Sequence, residues 1–344
     1  MNIIELLLQI IFSPFFFVPL IFPGLLTVTV TIVLLIWFER KLTAKVQMRY
    51  GPLYVMKPLG GILQMVADLL KFLFAEFIVP KGTDKKAFIL SPMLLFTLSV
   101  LPVIAIPLSS GYAAVPSDLS LLIVLSLLTL TPIFVLLLGW SSDNKFSFIG
   151  SLREGFMMMA YEIPMFVSIL AMAVLYEHPP DSSGLSLVDI VGRQSAGLWG
   201  LILNPLAAIA FFGTILMTTA RFPFDITEAE SEIVIGPYTE YSSVIFGLCL
   251  GASYAKLYVL SLFFAEVFLG GWNPLVWPLT LHPILPGIVV LIKGALVMIL
   301  CVFMRAVYPR YRIDQALRLG WHKLLLLSIV AVILSLSLIG LGVV

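Results

Sequence analysis

Apolar stretches alternate along the chain with short polar connections, and eight of the stretches are long enough to cross a hydrocarbon core, which takes about 20 residues as a helix. They lie at 14–38, 88–110, 119–140, 156–176, 196–219, 243–269, 284–304 and 324–344. The runs are continuous rather than alternating, which argues against the strands of a barrel. The pattern predicts an all-α, polytopic membrane protein of about eight transmembrane helices, forming one integral membrane domain over 1–344. One further segment, GGILQMVADLLKFLFAEF (60–77), has apolar positions at helical spacing interrupted by Gln64, Asp68, Lys71 and Glu76. It is too polar to span and is expected as an amphipathic helix lying in the interface.

Composition agrees with this reading. Of the 344 residues 60% are hydrophobic and only 11% charged, where a soluble domain carries about 25% charge; the mean hydropathy is +1.10. The first run is not expected to be a cleaved signal peptide, because residues 1–12 contain Glu5 and neither Lys nor Arg. Cys249 and Cys301 fall within spans, and His178, His282 and His322 are scattered. No CxxC or Cys/His ligand spacing arises, so the chain is expected to hold no metal or iron–sulfur cluster itself.

Charge is unevenly distributed. The connections 39–87, 141–155, 220–242 and 305–323 hold seventeen of the twenty Lys and Arg residues. With eight spans these four connections share one face, which the positive-inside rule places in the cytoplasm, leaving both termini outside. Most acids lie on the same face, more than a topology signal needs. Five of the nineteen fall between Asp225 and Glu240, around RFPFDITEAESE (221–232). Pro223 breaks or starts a helix there, Asp225 or Thr227 is a candidate cap, and Asp225, Glu228 and Glu232 follow an i, i+3, i+7 spacing that gathers them on one helical face. Glu230 points elsewhere. A solvated acidic face is the alternative, but Phe222, Phe224, Ile226, Ile233, Val234 and Ile235 favour a semi-buried acidic helix. Carboxylates crowded in such a place repel, and their pKa values are expected to rise, as suits a proton relay.

Ionisable groups within spans are costly and therefore candidates for function. Glu162 sits in MMMAYEIPMF, Lys256 and Glu266 in the sixth span and Lys293 in the seventh. Glu266 is near the far interface, where snorkelling is an adequate explanation. Sequence alone leaves the partners of Lys256 and Lys293 open.

Four motifs, in order, resemble the complex I membrane subunit of NuoH type, the NADH dehydrogenase subunit 1 family, which also includes subunits of membrane-bound energy-converting hydrogenases. They are ERKLTAKVQMRYGP (39–52), LQMVADLLKFLFAE (63–76), GWSSDNKFSFIGSLREGFMMMAYEIP (139–164) and RFPFDITEAESEIVIGPYTEYS (221–242), with FLGGW (268–272) as a weaker fifth. The resemblance implies a subunit at the foot of the peripheral electron-transfer arm, with no catalytic activity alone and no redox centre of its own. It also implies iron–sulfur clusters in the peripheral partners, neighbouring antiporter-like and small membrane subunits, a lipid bilayer around it and no nucleic acid. Glu39, Arg40, Gln47, Arg49, Asp68, Lys145, Arg153 and Arg221 match family motifs that dock the arm or line a quinone-like cavity. Asp225, Glu228, Glu230, Glu232 and Glu240 match the acidic loop, and Glu162 matches the glutamate that begins the family's acidic path; Lys256 and Lys293 join this ion-pathway set as intramembrane charges.

Two departures stand out. Many family members have a glutamate three residues before the arginine of the acidic motif, where this chain has Thr218. EIVIGPYTEYS also looks more like the hydrogenase-related branch than the quinone-reducing one. The sequence therefore leans toward a ferredoxin-linked hydrogenase or sulfur-reductase complex coupled to proton or sodium translocation. The alternative is the quinone-site subunit of an NADH, F420 or ferredoxin:quinone oxidoreductase. A stand-alone secondary transporter is a third reading, weakened by the lack of an internal repeat; a passive docking anchor would leave the intramembrane charges without a reason.

Overall fold

The computed structural model describes residues 13–177, 184–275 and 284–342; His178 and His282 lie outside them. The described chain is helical, with irregular connections and a single isolated bridge, between Ser109 and Tyr112, among the described residues. In order the helices are α1 (Pro14–Leu20), α2 (Leu25–Val46), α3 (Leu63–Phe74), α4 (Lys85–Val100), α5 (Ser120–Thr129), α6 (Thr131–Ser141), α7 (Lys145–Leu175), α8 (Leu187–Ala196), α9 (Gly200–Leu203), α10 (Pro205–Thr218), α11 (Glu230–Ile233), α12 (Ser243–Phe268), α13 (Leu285–Val307), α14 (Ile313–Arg318) and α15 (Leu325–Gly340). Seven segments among the described residues are long and apolar enough to cross a membrane: Pro14–Val46, Lys85–Ala105, Ser120–Ser141, Lys145–Leu175, Ser243–Phe268, Leu285–Val307 and Ile313–Gly340.

The eighth expected span, 196–219, is interrupted. The short α9 ends at Asn204, and α10 starts afresh with Pro205, which lacks the N–H an uninterrupted helix would use. Asn204 compensates for the break: its side-chain oxygen accepts from Ala207 N at 3.0 Å, and its amide donates to the Ala331 carbonyl at 2.8 Å and Ser335 Oγ at 2.9 Å. The interruption is thereby tied to α15, which meets the requirement that backbone groups at membrane depth find protein partners.

Two expected connections are largely helical. Asn144 caps α7 by accepting from Phe146 N at 2.8 Å, so this helix begins at Lys145, ahead of the apolar run itself. The last span likewise starts at Ile313 and runs through a π-helical turn, Leu319–Leu324, into α15. The segment 60–77 contains α3 as an amphipathic helix, as its spacing predicts.

The sixth span is the axis of the bundle. Every residue of α12 from Ala255 to Phe268 is buried, as expected of a helix enclosed on all sides by others. It packs against α4, α13, α10 and α3, while α7 lies against α6, α10 and α15. Leu296, Ile292, Leu326 and Ile333 on α13 and α15 remain exposed, as lipid- or subunit-facing positions should.

Residues 220–242 do not form the acidic helix that the i, i+3, i+7 spacing predicts. The chain turns from Arg221 to Ala229, forms only the four-residue α11, and then a 3-10 turn at Gly236–Tyr238. Val234 and Gly236 both have positive φ (62° and 58°), which no helix accommodates. A Cβ at Gly236 would lie 2.0 Å from the Thr227 carbonyl oxygen, so the return of the loop onto itself requires glycine there.

Candidate functional site

Where the long polar connection and the acidic loop meet the bundle, a cavity of about 930 Å³ opens. One side is apolar, built by Ile32, Val33 and Ile36 of α2, Met65, Leu69 and Phe72 of α3, and Leu248 and Gly251 of α12. The other is charged. Glu39, Arg40, Gln47, Arg49, Asp68, Arg221, Asp225, Glu228 and Glu230 all line it, joined by Tyr254 and Arg305.

Glu39 organises the charged wall. Its carboxylate is buried and accepts from Arg221 Nη1 at 3.1 Å on both oxygens, from Tyr254 Oη at 2.9 Å, and from Arg305. Four elements meet at this one side chain: α2, the acidic loop, α12 and α13. The Arg221 guanidinium also stacks 3.9 Å from the centre of the Tyr254 ring. Burial opposes its charge, but Glu39, with Tyr254 and Glu228, outweighs that and holds its pKa above the usual arginine range.

The acidic loop is pinned by arginines rather than by helix geometry. Arg310 donates to Asp225 at 2.7 Å and reaches Ser231 at 3.4 Å, while Phe222 lies under both Arg305 and Arg310. Glu228, next to Asp225, has its pKa pushed up to about 7, first by burial, then by the Asp225 charge; Arg221 and Lys256 oppose the shift and Glu154 adds to it. At the mouth, Arg40 pairs with Asp68 at 2.7 Å and Gln64 donates to Asp68 at 3.0 Å, tying α3 to α2.

Other sequence-predicted residues lie elsewhere. Glu232 turns away from Asp225, is exposed, and pairs with Arg153, which also reaches the Ile226 carbonyl. Arg153 and Lys145 do not line the cavity; Lys145 is exposed at the start of α7. Glu240 accepts from Asn144, the cap of α7, and so anchors the loop to that helix outside the cavity. Glu162 is half-buried on α7, with one buried carboxylate oxygen lacking a hydrogen-bond partner.

The two intramembrane lysines acquire partners. Lys256 is buried, donates to the Thr218 carbonyl at 3.2 Å, and faces the charges of Glu154 and Glu228. Lys293 donates to the carbonyls of Leu269 at 2.6 Å, Gly271 at 2.8 Å and Asn273, with Trp199 beneath it at 4.6 Å. Glu266 does not snorkel: it is fully buried near Lys293, and neither carboxylate oxygen has a hydrogen-bond partner.

Sequence does not single out Glu154, Tyr254 or Arg305. Glu154 precedes the apolar run of the fourth span and so looks like a connection residue, yet the extended α7 buries it. The available signal is the N-cap sequence Asp143–Asn144 ahead of an uninterrupted helical stretch. Tyr254 and Arg305 carry no local signal, because their role depends on α12 and α13 converging on Glu39.

A polytopic helical bundle whose charges converge on one partly apolar cavity defines a membrane subunit built to act with something beside it. Residues 20–336 match the family model described as NADH dehydrogenase. The chain is 36% identical over 310 residues to the H subunit of the NADH-quinone oxidoreductase of Dehalococcoides mccartyi strain CBDB1, covering 90% of this chain and 82% of that one. It is 33% identical over 305 residues to the H subunit of the F(420)H(2) dehydrogenase of Methanosarcina mazei, covering 86% and 85%. The chain belongs to this NuoH-type family, the membrane subunits of complex I-like oxidoreductases. It is a multi-pass membrane protein of a multi-subunit complex with other membrane and peripheral subunits, and the stand-alone transporter reading gives way to that.

Proposed function

We propose that this chain receives the head group of a lipid-soluble, quinone-class acceptor in its cavity, docks the peripheral arm over it, and couples reduction of the acceptor to proton translocation. The observation carrying this is the cavity itself. Its volume of about 930 Å³ is that of a small-molecule site, and an apolar wall with a few convergent polar groups is what an amphipathic ligand needs. The names of the relatives, an NADH-quinone oxidoreductase and an F(420)H(2) dehydrogenase, support an acceptor-reducing complex. Around the mouth, Met48, Tyr50 and Tyr54 are almost wholly exposed, which supports a partner covering this face, the cytoplasmic one by the charge distribution.

Coupling would run through the loop. Reduction beside Glu39 and Arg221 would favour one of two arrangements of 220–242, and the carboxylates that follow would change protonation with it. Only a charge that interacts differently with the two arrangements drives such a shift, and Asp225, Glu228 and Glu162 would be the groups to respond, whereas Glu232, exposed and paired with Arg153, would not.

Thr218 and the Gly236–Pro237 pair favour a second reading, a ferredoxin-linked hydrogenase or sulfur-reductase complex in which electrons end on protons or a sulfur compound and no quinone enters. The test is purification of the complex through a tag on this chain. NADH and reduced ferredoxin would be supplied as donors, with quinone analogues, protons and sulfur compounds as acceptors, alongside labelling by a photoreactive quinone. Quinone reduction with labelling of α2, α3 or the acidic loop is the expected result. Hydrogen or sulfide formation with no labelling would replace it with the second reading.

A further inference from the structure

Glu154 takes no part in the functions assigned so far, yet its position is demanding. It is 4% exposed in the membrane-spanning helix α7, where an ionisable group requires a partner and a reason. Its carboxylate accepts from Tyr161 Oη at 3.2 Å. Tyr161 and Glu162 follow it along α7 by about two turns, deeper into the span.

On its other side Glu154 meets the acidic loop. Gly150, one turn earlier on α7, is in such close contact with the loop that a Cβ there would come within 2.7 Å of Gly236 and 2.8 Å of Pro237. Glu228 and Tyr238 of the loop are within electrostatic reach of Glu154. From α12, Lys256 faces both Glu154 and Glu228 while held by the Thr218 carbonyl. The carboxyl groups therefore form an ordered series from the cavity inward: Asp225, Glu228, Glu154, Glu162. Of these four, Asp225 and Glu228 line the cavity, and Glu162 still has an unpartnered oxygen. Glu154 is the carboxyl group between the loop and Glu162; Glu154 and Glu162 lie about two helical turns apart on α7, with Tyr161, which donates to Glu154, directly before Glu162.

We propose that Glu154 is the proton-carrying step between the cavity-side carboxylates and Glu162, with Lys256 as the fixed counter-charge that keeps the site open to a proton from either side. This role rests on the coupling reading above and names a residue for it. In each transfer a carboxylic acid gives its proton to the next carboxylate and becomes the carboxylate itself, so no further reactant is needed. Glu228 and Glu154 sense each other's charge without sharing a direct hydrogen bond, so transfer goes through rotation of Glu228 or a bridging water. Tyr161 holds the Glu154 carboxylate in place through its hydroxyl.

The test uses the intact complex in proteoliposomes, with protons moved per electron as the readout. Glu154→Gln keeps size and hydrogen bonding but carries no proton, and should abolish most of the ratio, since proton transfer through a positioned group is lost with the group. Glu154→Asp should restore a large part of it, which a merely structural role would not require. Glu162→Gln serves as the reference. A normal ratio in Glu154→Gln with a collapsed one in Glu162→Gln overturns the role of Glu154 and leaves the coupling reading intact; normal ratios in both overturn the two together. If Glu154→Gln fails to assemble, Tyr161→Phe decides the matter, since it removes only the hydroxyl that orients Glu154: a lowered ratio supports the relay and an unchanged one overturns it.

Discussion

For the individual side chain, charge here is governed by which partner it meets rather than by its motif. Asp225, Glu228 and Glu232 sit in one acidic stretch, yet Asp225 goes to Arg310, Glu232 to Arg153, and Glu228 is left semi-buried between Asp225 and Arg221. Glu228 accordingly titrates at about 7 rather than at the ordinary 4.5. A raised carboxyl pKa means the folded chain holds the proton more tightly than the unfolded one. Stability from this group is therefore full below about 4.5 and is lost as pH rises through about 7. Thermal stability of the purified complex, measured from about pH 5 to about pH 8, should fall less steeply with rising pH in Glu228→Gln than in the native protein; parallel curves would contradict the assignment. The acidic composition of this stretch is legible in sequence. Its division among three arginines is not, because Arg153 lies 79 residues from Glu232 and Arg310 lies 85 from Asp225.

Helices begin and end where capping and backbone geometry dictate, and hydropathy marks only their apolar middles. This is why the apolar run predicts a start at 156 while α7 starts at Lys145, and why Glu154 resembles a connection residue in sequence. The interruption at Asn204–Pro205 is the converse: hydropathy is continuous across it while the helix is not. Asn204→Ala would strand the Ala207 N–H in an apolar setting, costing about 1–3 kcal/mol for a buried group left unpaired, and would remove the tie to α15, whose Ala331 carbonyl keeps its bond within the helix. A lowered unfolding temperature of the complex, with Asn204→Asp recovering only the cap to Ala207, is the expected result. Unchanged stability in the alanine variant would mean α9 and α10 are held by packing alone.

Across the molecule as a unit, the charged face carries two kinds of feature. Buried charges such as Glu39, Arg221 and Lys256 are sheltered from salt, while Lys45, Lys57, Lys81 and Lys85 are exposed on the same side. Exposed charges are screened within about 3 Å at about 1 M salt. If the lysines help hold a peripheral arm, high salt should release arm proteins from membranes while this chain stays folded and embedded. Replacing the four lysines by glutamine should lower the salt concentration needed. Retention of the arm at every salt concentration would assign docking to Met48, Tyr50 and Tyr54 instead.

The class of the protein follows from hydropathy, because continuous apolar runs of this length exceed what a soluble fold buries and leave a helical membrane bundle as the outcome. Local motifs are enough to carry the family resemblance, and they hold much of the cavity wall, since Glu39, Arg40, Gln47, Arg49, Asp68 and Arg221 fall within them. Which charges meet is settled in three dimensions. Ion pairs such as Glu39 with Arg305 and Asp225 with Arg310 join residues far apart in the chain, and their pairing depends on helix crossings that no local pattern encodes. The same reason separates Glu240 and Glu232 from the acidic series and brings Glu154 into it.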